Sequence, residues 1–483
     1  MNRALMIQGA GSNVGKSLVV AGLLRSFRNR GLNVRPFKPQ NMSNNAAVTK
    51  DGGEIGRAQA LQALAAGVPP HTDMNPVLLK PESDKSSQVI VQGRAQGKLH
   101  APDFNAGKRD LLPVVLESFH RLAKQADLTI VEGAGSPAET NLRLNDIANM
   151  GFARAANVPV VLLGDIDRGG VIAQIVGTKV VLDSEDAKQI VGFAINKFRG
   201  DIGLFDDGLK AIAAHTDWPS LGVLSWFSDA WKLPAEDAVD LNSREGGPFK
   251  IAVPMLSRIA NFDDLDPLRN EPAVTVEMIP PGTPLPSDAT LVLIPGTKST
   301  IADLGYFKEQ GWDIDLRAHH RRGGRILGLC GGYQMLGREI RDLNGIEGRP
   351  QSVKGLGLLD IETEMQPEKI VALRHARYLP TGDSLSGYEI HIGRTRGPDC
   401  DRGWLDVAGR SEGATSGDGL IQGCYLHGLF AADNFRASFL NSFGVTSNVN
   451  YHHEVDQVLD NLAAQLEEQL DLDQIWSLSQ LVS

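Results

Sequence analysis

The feature that most restricts how this chain can fold is a repeated alternation of short apolar runs with amphipathic helical stretches. In residues 1–225 the predicted strands are Ala4–Gln8, Asn33–Phe37, Leu128–Glu132, Pro159–Gly164, Ile190–Asn196 and Leu221–Leu224. Helical stretches, such as Ser17–Arg30, Gly53–Ala66 and Gly169–Leu182, separate them. Because the strand runs do not alternate with polar residues, both faces of each strand are covered. The pattern predicts an α/β fold with a parallel sheet and helices on both faces.

A second α/β series follows an interruption at residues 226–248, which hold no periodic element and end in Gly-Gly-Pro. Its predicted strands are Phe249–Pro254, Ala273–Met278, Ala289–Ile294 and Arg325–Leu329, and the later runs Tyr388–Arg394 and Leu420–Leu426 are predicted to be antiparallel. We therefore predict a first domain at 1–240, a linker at 241–248, a second domain at 249–450 and a C-terminal amphipathic helix within 451–483. We expect that helix to pack on the second domain.

Length and charge narrow the class of protein. A chain of 483 residues is too long for one hydrophobic core. The net charge of −10 argues against binding to nucleic acid, and no apolar run reaches the ~18–20 residues that cross a bilayer. The N-terminus does not resemble a signal peptide, and three cysteines are too few for a disulfide framework or a zinc site. We expect a cytoplasmic protein without a membrane partner, and a homo-oligomer is allowed.

A phosphate-binding loop is predicted where the first strand meets the first helix, in Gly9-Ala-Gly-Ser-Asn-Val-Gly-Lys-Ser17. Small residues let consecutive backbone N–H groups turn toward an anion, a lysine reaches the outer phosphates, and a hydroxyl contacts Mg²⁺. The predicted ATP-binding residues of the loop are Gly11, Ser12, Asn13, Val14, Gly15, Lys16 and Ser17. Ala10 replaces the usual glycine, a variant that resembles the dethiobiotin synthetase branch of P-loop proteins.

A dinucleotide-binding fingerprint is the competing interpretation of these glycines. It would require a third glycine at position 14, which is Val14, and an acidic residue after the second strand, where Lys38 stands. Both requirements fail, so the sequence favours a nucleotide triphosphate loop.

Magnesium prefers oxygen ligands, and three side chains are candidates. Ser17 follows the loop lysine, and Glu132 ends a buried strand at the edge where open α/β sheets bind ligands. A third acid is expected from Asp51 or Glu54, and we favour Asp51 because Glu54 could instead sit in the first turn of a helix. By resemblance to nucleotide-binding folds of this branch, Asn196 is expected to hold the adenine.

A nucleophile elbow is predicted at Gly328-Leu-Cys330-Gly-Gly332, between the strand Arg325–Leu329 and a helix. The backbone N–H groups of Gly296 and Gly331 are expected to form an oxyanion hole. His427 ends an apolar strand and is the predicted base. A lone buried cysteine is more often an inert core residue, but the elbow spacing and the strand-terminal histidine favour catalysis.

The arrangement of Cys330 and His427 resembles the class I glutamine amidotransferase domain. Members of that class carry a glutamate two residues after the histidine, where this chain has Leu429. The resemblance therefore points to the triadless branch, in which a Cys–His pair works without a third member. A backbone carbonyl or a distant acid that orients the ring stays open as an alternative.

Seven motifs together resemble the cobyric acid synthase family. They are Phe37–Asn45, Asp51–Ala60, Val131–Glu139, Gly164–Gly170, Ile195–Asp201, Pro295–Thr300 and Gly387–His391. The resemblance implies that ATP and glutamine are used to convert four peripheral carboxylates of adenosylcobyrinic acid a,c-diamide into amides. It also suggests Lys38 and Asp146 as residues that contact the corrinoid substrate.

Two other functions compete with this interpretation. A sister enzyme amidates the a and c carboxylates, but Lys38-Pro-Gln-Asn-Met42 and Gly164-Asp-Ile-Asp-Arg168 favour cobyric acid synthase. A nucleotide switch of the partition-ATPase type would carry another lysine near Gln8 or Gly9, and it would have no use for Cys330.

Overall fold

The computed structural model describes residues 2–83, 86–100, 109–234 and 243–482. Contacts divide the chain into two compact units. The first comprises Met1–Ser43, Thr49–Leu233 and Val455–Ser483, and the second comprises Asn44–Val48 and Pro234–Glu454. Part of the predicted linker, residues 241–242, lies outside the described residues.

The first unit is built on a parallel sheet, as predicted. Its strands lie in the order Ser220–Ser225, Ile190–Phe198, Val160–Asp165, Arg3–Gly9, Leu128–Glu132 and Val34–Phe37. The central strand Arg3–Gly9 is parallel to both of its main neighbours, and its last six residues are buried. Since the carboxyl ends of parallel strands meet at one edge, the ends of Arg3–Gly9 and Leu128–Glu132 lie together.

Helices and a smaller sheet complete the first unit. The helices are Lys16–Asn29, Arg57–Ala66, Leu112–Ala123, Met150–Ala155, Val171–Val181, Ser184–Gln189, Asp206–Thr216 and Leu472–Leu478. The smaller sheet has the order Gln40–Met42, Val77–Ser83, Ser86–Val91 and Arg94–His100. The helix predicted to begin at Gly53 begins at Arg57, because Glu54–Gly56 forms a short strand first.

The C-terminal helix, Tyr451–Gln469, packs on the first unit from Val455 onward, and the expectation that it covers the second domain is wrong. Leu466 lies over Gly22 of the helix Lys16–Asn29, where a Cβ atom would come within 2.8 Å of its Cδ2 atom. Arg25 forms an ion pair of 2.5 Å with Asp456. The amphipathic pattern predicted a buried face, but it could not predict which surface covers that face.

The second unit also contains a central sheet, in the order Val274–Ile279, Phe249–Pro254, Leu291–Ile294, Arg325–Leu329, Ile421–Cys424 and Ala414–Thr415. Ile421–Cys424 is parallel to Arg325–Leu329, so the prediction that this late strand is antiparallel is wrong for that pairing. It is antiparallel only to the short strand Ala414–Thr415. The α/β class of both halves is confirmed.

Two further sheets and short helices surround that core. One sheet has the order Arg410–Glu412, Leu405–Val407, Ile370–Tyr378, Ser384–His391 and Leu426–His427, all antiparallel pairs, as predicted for the region of Tyr388. The other has the order Gln351–Lys354, Glu339–Asp342, Glu362–Glu364 and Arg394–Arg396. The helices are Asp266–Arg269, Thr300–Glu309, Trp312–Arg321, Gly331–Leu336 and Asp433–Asn441.

Candidate active sites

The predicted phosphate loop connects the central strand of the first unit to the helix Lys16–Asn29. Gly15 precedes that helix with a φ of 92°, a left-handed conformation that glycine adopts without steric cost. A Cβ atom there would also lie only 2.4 Å from Asn196 Nδ2. Lys16 Nζ donates to the carbonyl oxygens of Gly11 at 3.3 Å and Gly135 at 3.1 Å. The ammonium group thus stands over the loop, which is the position that a phosphate-binding lysine needs.

Glu132 is a buried carboxylate at the end of its strand, next to the loop. It accepts hydrogen bonds from Ser17 Oγ at 2.7 Å, Lys38 Nζ at 2.8 Å and Gln62 Nε2 at 2.5 Å. Burial raises the pKa of Glu132, but the charge and hydrogen bond of Lys38 and the two other donors outweigh it and lower that pKa. The carboxylate is therefore ionised at neutral pH. Ser17 and Glu132 thus place two oxygen atoms side by side, of the kind that magnesium prefers, and their role as metal ligands stays a prediction.

The third predicted metal ligand, Asp51, is engaged by other side chains. Asp51 accepts a hydrogen bond from Thr72 Oγ1 at 2.6 Å and lies 3.7 Å from His71 Nε2. Its rival, Glu54, is buried and pairs with Lys80 at 3.0 Å. Within residues 2–83, 86–100, 109–234 and 243–482, no three acidic, histidine or cysteine side chains form a metal cluster. A role of Asp51 in binding magnesium stays a prediction.

Asn196 lies against the phosphate loop, at the end of strand Ile190–Phe198. Its Nδ2 atom donates to the carbonyl oxygen of Val14 at 2.8 Å. The next residue, Lys197, donates to Asn13 O at 2.6 Å and to Asp165 at 2.9 Å. These bonds fix the shape of the loop, and the predicted contact of Asn196 with adenine stays a prediction.

The two residues predicted to contact the substrate are engaged within the protein. Lys38 forms its ion pair with Glu132. Asp146 accepts from the backbone N–H groups of Ala148, Asn149 and Gly151 at 2.8–2.9 Å, and so satisfies one N–H group in the first turn of the helix Met150–Ala155. This local role accounts for the position of Asp146, and its role toward the corrinoid stays a prediction.

Cys330 occupies a strained turn in the second unit, with a φ of 52° and a ψ of −107°. Residues other than glycine rarely adopt a positive φ. Backbone strain of this kind is concentrated at functional sites. The neighbouring glycines are required: a Cβ atom on Gly332 would lie 2.2 Å from Ile294 O, and one on Gly328 would lie 2.8 Å from Gly332 C. The predicted nucleophile elbow is confirmed as a conformation.

The two residues predicted for the oxyanion hole flank this cysteine. A Cβ atom on Gly296 would lie 3.7 Å from Cys330 Cβ and 3.2 Å from His427 Cε1. One on Gly331 would lie 3.1 Å from the backbone nitrogen of Thr297. The same Cβ atom on Gly296 would lie 2.9 Å from the carbonyl oxygen of Ala260, which is closer than a side chain tolerates, so glycine is required at this position. The role of the two N–H groups as an oxyanion hole stays a prediction.

His427 is completely buried and has a carboxylate partner that the sequence did not reveal. Its Nδ1 atom lies 2.7 Å from Asp264 Oδ2, and Asp264 Oδ1 accepts from the N–H of Gly428 at 2.6 Å. Burial lowers the pKa of His427, but Asp264 and Cys330 raise it to about 10. The ring of Tyr388 stacks on the imidazole at a centroid distance of 5.2 Å. The raised pKa favours the protonated imidazole, and the contacts with Asp264 and Tyr388 fix its orientation.

The expectation that this pair works without a third member is therefore wrong. Leu429, at the usual position of the glutamate, is fully buried among apolar residues, and the acid comes from Asp264, which precedes the histidine in the chain. The open alternative of a distant acid is the correct one. Asp264 follows Asn-Phe-Asp, and no spacing relative to His427 distinguishes it from a solvated loop acid.

Two families match the two halves of the chain. Residues 5–240 match the family described as "CobQ/CobB/MinD/ParA nucleotide binding domain". Residues 250–435 match the "CobB/CobQ-like glutamine amidotransferase domain". These spans coincide with the halves that hold the phosphate loop and the Cys330 elbow.

Curated relatives match over nearly the whole length. A protein named "Cobyric acid synthase" from Ruegeria sp. is 64% identical over 98% of this chain and 98% of its own. Proteins of the same name from Paracoccus denitrificans and Bradyrhizobium diazoefficiens are 62% and 60% identical, over 99% of this chain and 99–100% of theirs. In the part of the chain that the structure describes, no helix is both long and apolar enough to span a membrane.

Proposed function

Since the chain belongs to the cobyric acid synthase family, we propose that Cys330 and His427 release ammonia from glutamine while the loop around Lys16 binds the ATP that activates the acceptor carboxylate. The protein is an ATP-driven, glutamine-dependent amidating ligase of cobalamin biosynthesis. The observation that carries the residue assignment is the strained Cys330 turn beside a buried imidazole that an acid orients.

Glutamine hydrolysis begins with attack of the Cys330 thiolate on the carbon of the side-chain amide. Negative charge develops on the amide oxygen, and the backbone N–H groups of Gly296 and Gly331 are proposed to stabilise it. The protonated imidazole of His427 donates its proton to the leaving nitrogen, so that ammonia departs and a glutamyl thioester remains. Water then hydrolyses the thioester, which gives glutamate and restores the thiol.

The acceptor reaction takes place on the ATP-binding half. A carboxylate oxygen of the corrinoid attacks the γ-phosphorus of ATP, ADP leaves, and an acyl phosphate forms. Ammonia attacks the acyl carbon, and the bond to phosphate breaks to leave an amide. Lys16 supplies positive charge at the outer phosphates, and Ser17 with Glu132 would hold a magnesium ion, which neutralises phosphate charge when bound.

The proposed acceptors are the four peripheral carboxylates of adenosylcobyrinic acid a,c-diamide. Support for these acceptors comes from the relatives named cobyric acid synthase, which are 60–64% identical over nearly the whole chain. Lys38, which forms an ion pair with Glu132, is the proposed contact for an acceptor carboxylate.

Mass spectrometry of the corrinoid tests the function. The full-length protein is incubated with ATP, the a,c-diamide and glutamine labelled with heavy nitrogen at its side-chain amide. We expect four labelled amides on the corrinoid and a matching amount of glutamate. Label on fewer positions, or none, would contradict the proposed acceptor set, and amidation of cobyrinic acid itself at the a and c positions would indicate the sister activity.

A further inference from the structure

Asn261 bridges the catalytic histidine and a segment from the N-terminal half of the chain. Its side chain is buried, and its backbone has a left-handed φ of 52°. Asn261 Oδ1 accepts a hydrogen bond from the N–H of Ala46 at 3.3 Å. On the other side, Asn261 Nδ2 lies 3.4 Å from His427 Nε2. One amide group thus contacts both partners.

The hydrogen-bonding capacity of Ala46 determines which atom of the Asn261 amide faces Ala46 and which faces His427. The Ala46 N–H can only donate, so the oxygen of Asn261 must face it. The nitrogen of the amide therefore faces Nε2 of His427. In the protonated ring both groups are donors and no hydrogen bond joins them, so Asn261 can donate to Nε2 only after that atom has given up its proton. That ring nitrogen is the one available for proton transfer, because Asp264 engages Nδ1. A rotation of the amide of Asn261 changes the surroundings of the nitrogen that serves the reaction.

The segment Asn44–Val48 belongs to the packing of the second unit, although the residues on either side of it belong to the first. Its last three residues form the short strand Ala46–Val48, which lies against the strands Ile370–Tyr378 and Ser384–His391. The second of these strands pairs with His427 through Tyr388. Ala46, Ala47 and Val48 are buried. Five residues from the ATP-binding half of the sequence are therefore part of the sheet region that carries the glutaminase histidine.

We propose that Asn261 is a positioning residue through which the segment Asn44–Val48 couples glutamine hydrolysis to the state of the ATP-binding half. The segment lies in the sequence between Lys38, at the Glu132 carboxylate, and Asp51. A shift of this stretch on binding ATP and acceptor moves the Ala46 N–H, and Asn261 carries that movement to His427. The inference rests on the proposed function, since it requires both reactions in one chain.

The test compares two glutaminase rates, measured as glutamate release with and without ATP and the corrinoid diamide. Wild type is expected to hydrolyse glutamine faster when both are present. Asn261→Gly removes the amide but keeps the left-handed backbone, which glycine tolerates. Asn261→Asp keeps the acceptor for Ala46 and replaces only the nitrogen facing His427. In both variants the ratio of stimulated to basal rate is expected to fall to near unity.

Two controls separate coupling from damage to the fold. Asn157→Gly makes the same change at another asparagine with a positive φ, 50°, in the first unit, and should leave the ratio unchanged. Amidation supported by ammonium salts should proceed at the wild-type rate in every variant. If wild type itself did not amidate the corrinoid with ammonium salts, the proposed function would be refuted instead. Equal loss of basal and stimulated rates in both Asn261 variants would overturn the coupling, as would a wild type that shows no stimulation.

Discussion

Replacing Asp264 by Asn removes the negative charge beside His427 and leaves the shape of the side chain almost unchanged. The carboxylate lies 2.7 Å from Nδ1, and both side chains are buried, with 3% and 0% exposure. An amide oxygen can still accept from the Gly428 N–H. The amide nitrogen of the new asparagine then faces Nδ1 as a donor. This favours the neutral His427 tautomer that carries its proton on Nε2, and the imidazolium is no longer stabilised by a neighbouring negative charge.

The expected loss follows from the pKa of His427. That pKa is raised from 6.5 to about 10 against the effect of burial, with Asp264 as the largest raising cause. At about 1.4 kcal/mol per pKa unit, the preference for the protonated ring is about 5 kcal/mol, shared between Asp264 and Cys330. In a Ser-His-Asp triad the same change costs about 10⁴-fold, and a thiolate needs a base less than a hydroxyl does. We expect glutaminase kcat to fall by about 10²–10³-fold, or about 3–4 kcal/mol.

The assay is steady-state release of glutamate, with ammonium-supported amidation as the measure of an intact ATP site. Asp263→Asn is the matched control: it changes the neighbouring acid, which accepts from Tyr388 Oη at 3.0 Å and not from His427. We expect that control to lose only a few-fold in rate. If Asp264→Asn kept most of the wild-type glutaminase rate, Asp264 would not orient or charge the imidazole.

The remaining predictions concern separate parts of the chain. His427 has a raised pKa in the folded protein, so the stability that its protonated ring contributes is complete below pH 6.5 and is lost as pH rises through about 10. The free energy of unfolding of wild type, measured in urea, should therefore fall across that window, and that of Asp264→Asn should fall less. Leu429→Glu should give no gain in glutaminase rate, since Asp264 already serves the ring, and a buried unpaired acid should lower the melting temperature. Lys16→Ala should abolish amidation from either nitrogen source while glutamate release without ATP continues. Cys330→Ala should abolish amidation from glutamine while ammonium salts still support it; loss of both activities would indicate a structural role for this cysteine.

The local sequence determined the elements whose physical requirements are local. A phosphate loop needs small residues, a lysine and a hydroxyl within nine positions, and a nucleophile elbow needs glycines on both sides of the cysteine. Both patterns are present in the sequence itself, at Gly9–Ser17 and Gly328–Gly332. Buried parallel strands also have an uninterrupted apolar pattern, so Leu128–Glu132, Phe249–Pro254 and Arg325–Leu329 were predicted with the bounds that the structure shows.

The tertiary structure alone decided which distant groups meet. Asp264 and His427 are 163 positions apart, and a carboxylate two residues after a histidine is only one way to place a charge at Nδ1. The same holds for Asn261 and Ala46, which are 215 positions apart. The amphipathic face of Tyr451–Gln469 predicted burial, yet Gly22 and Arg25 of the first unit receive it. The hydrophobic effect favours burial of an apolar helix face against any apolar surface of matching shape. The sequence of the helix therefore predicts that this face is covered, and only the packing of the whole chain decides which surface covers it.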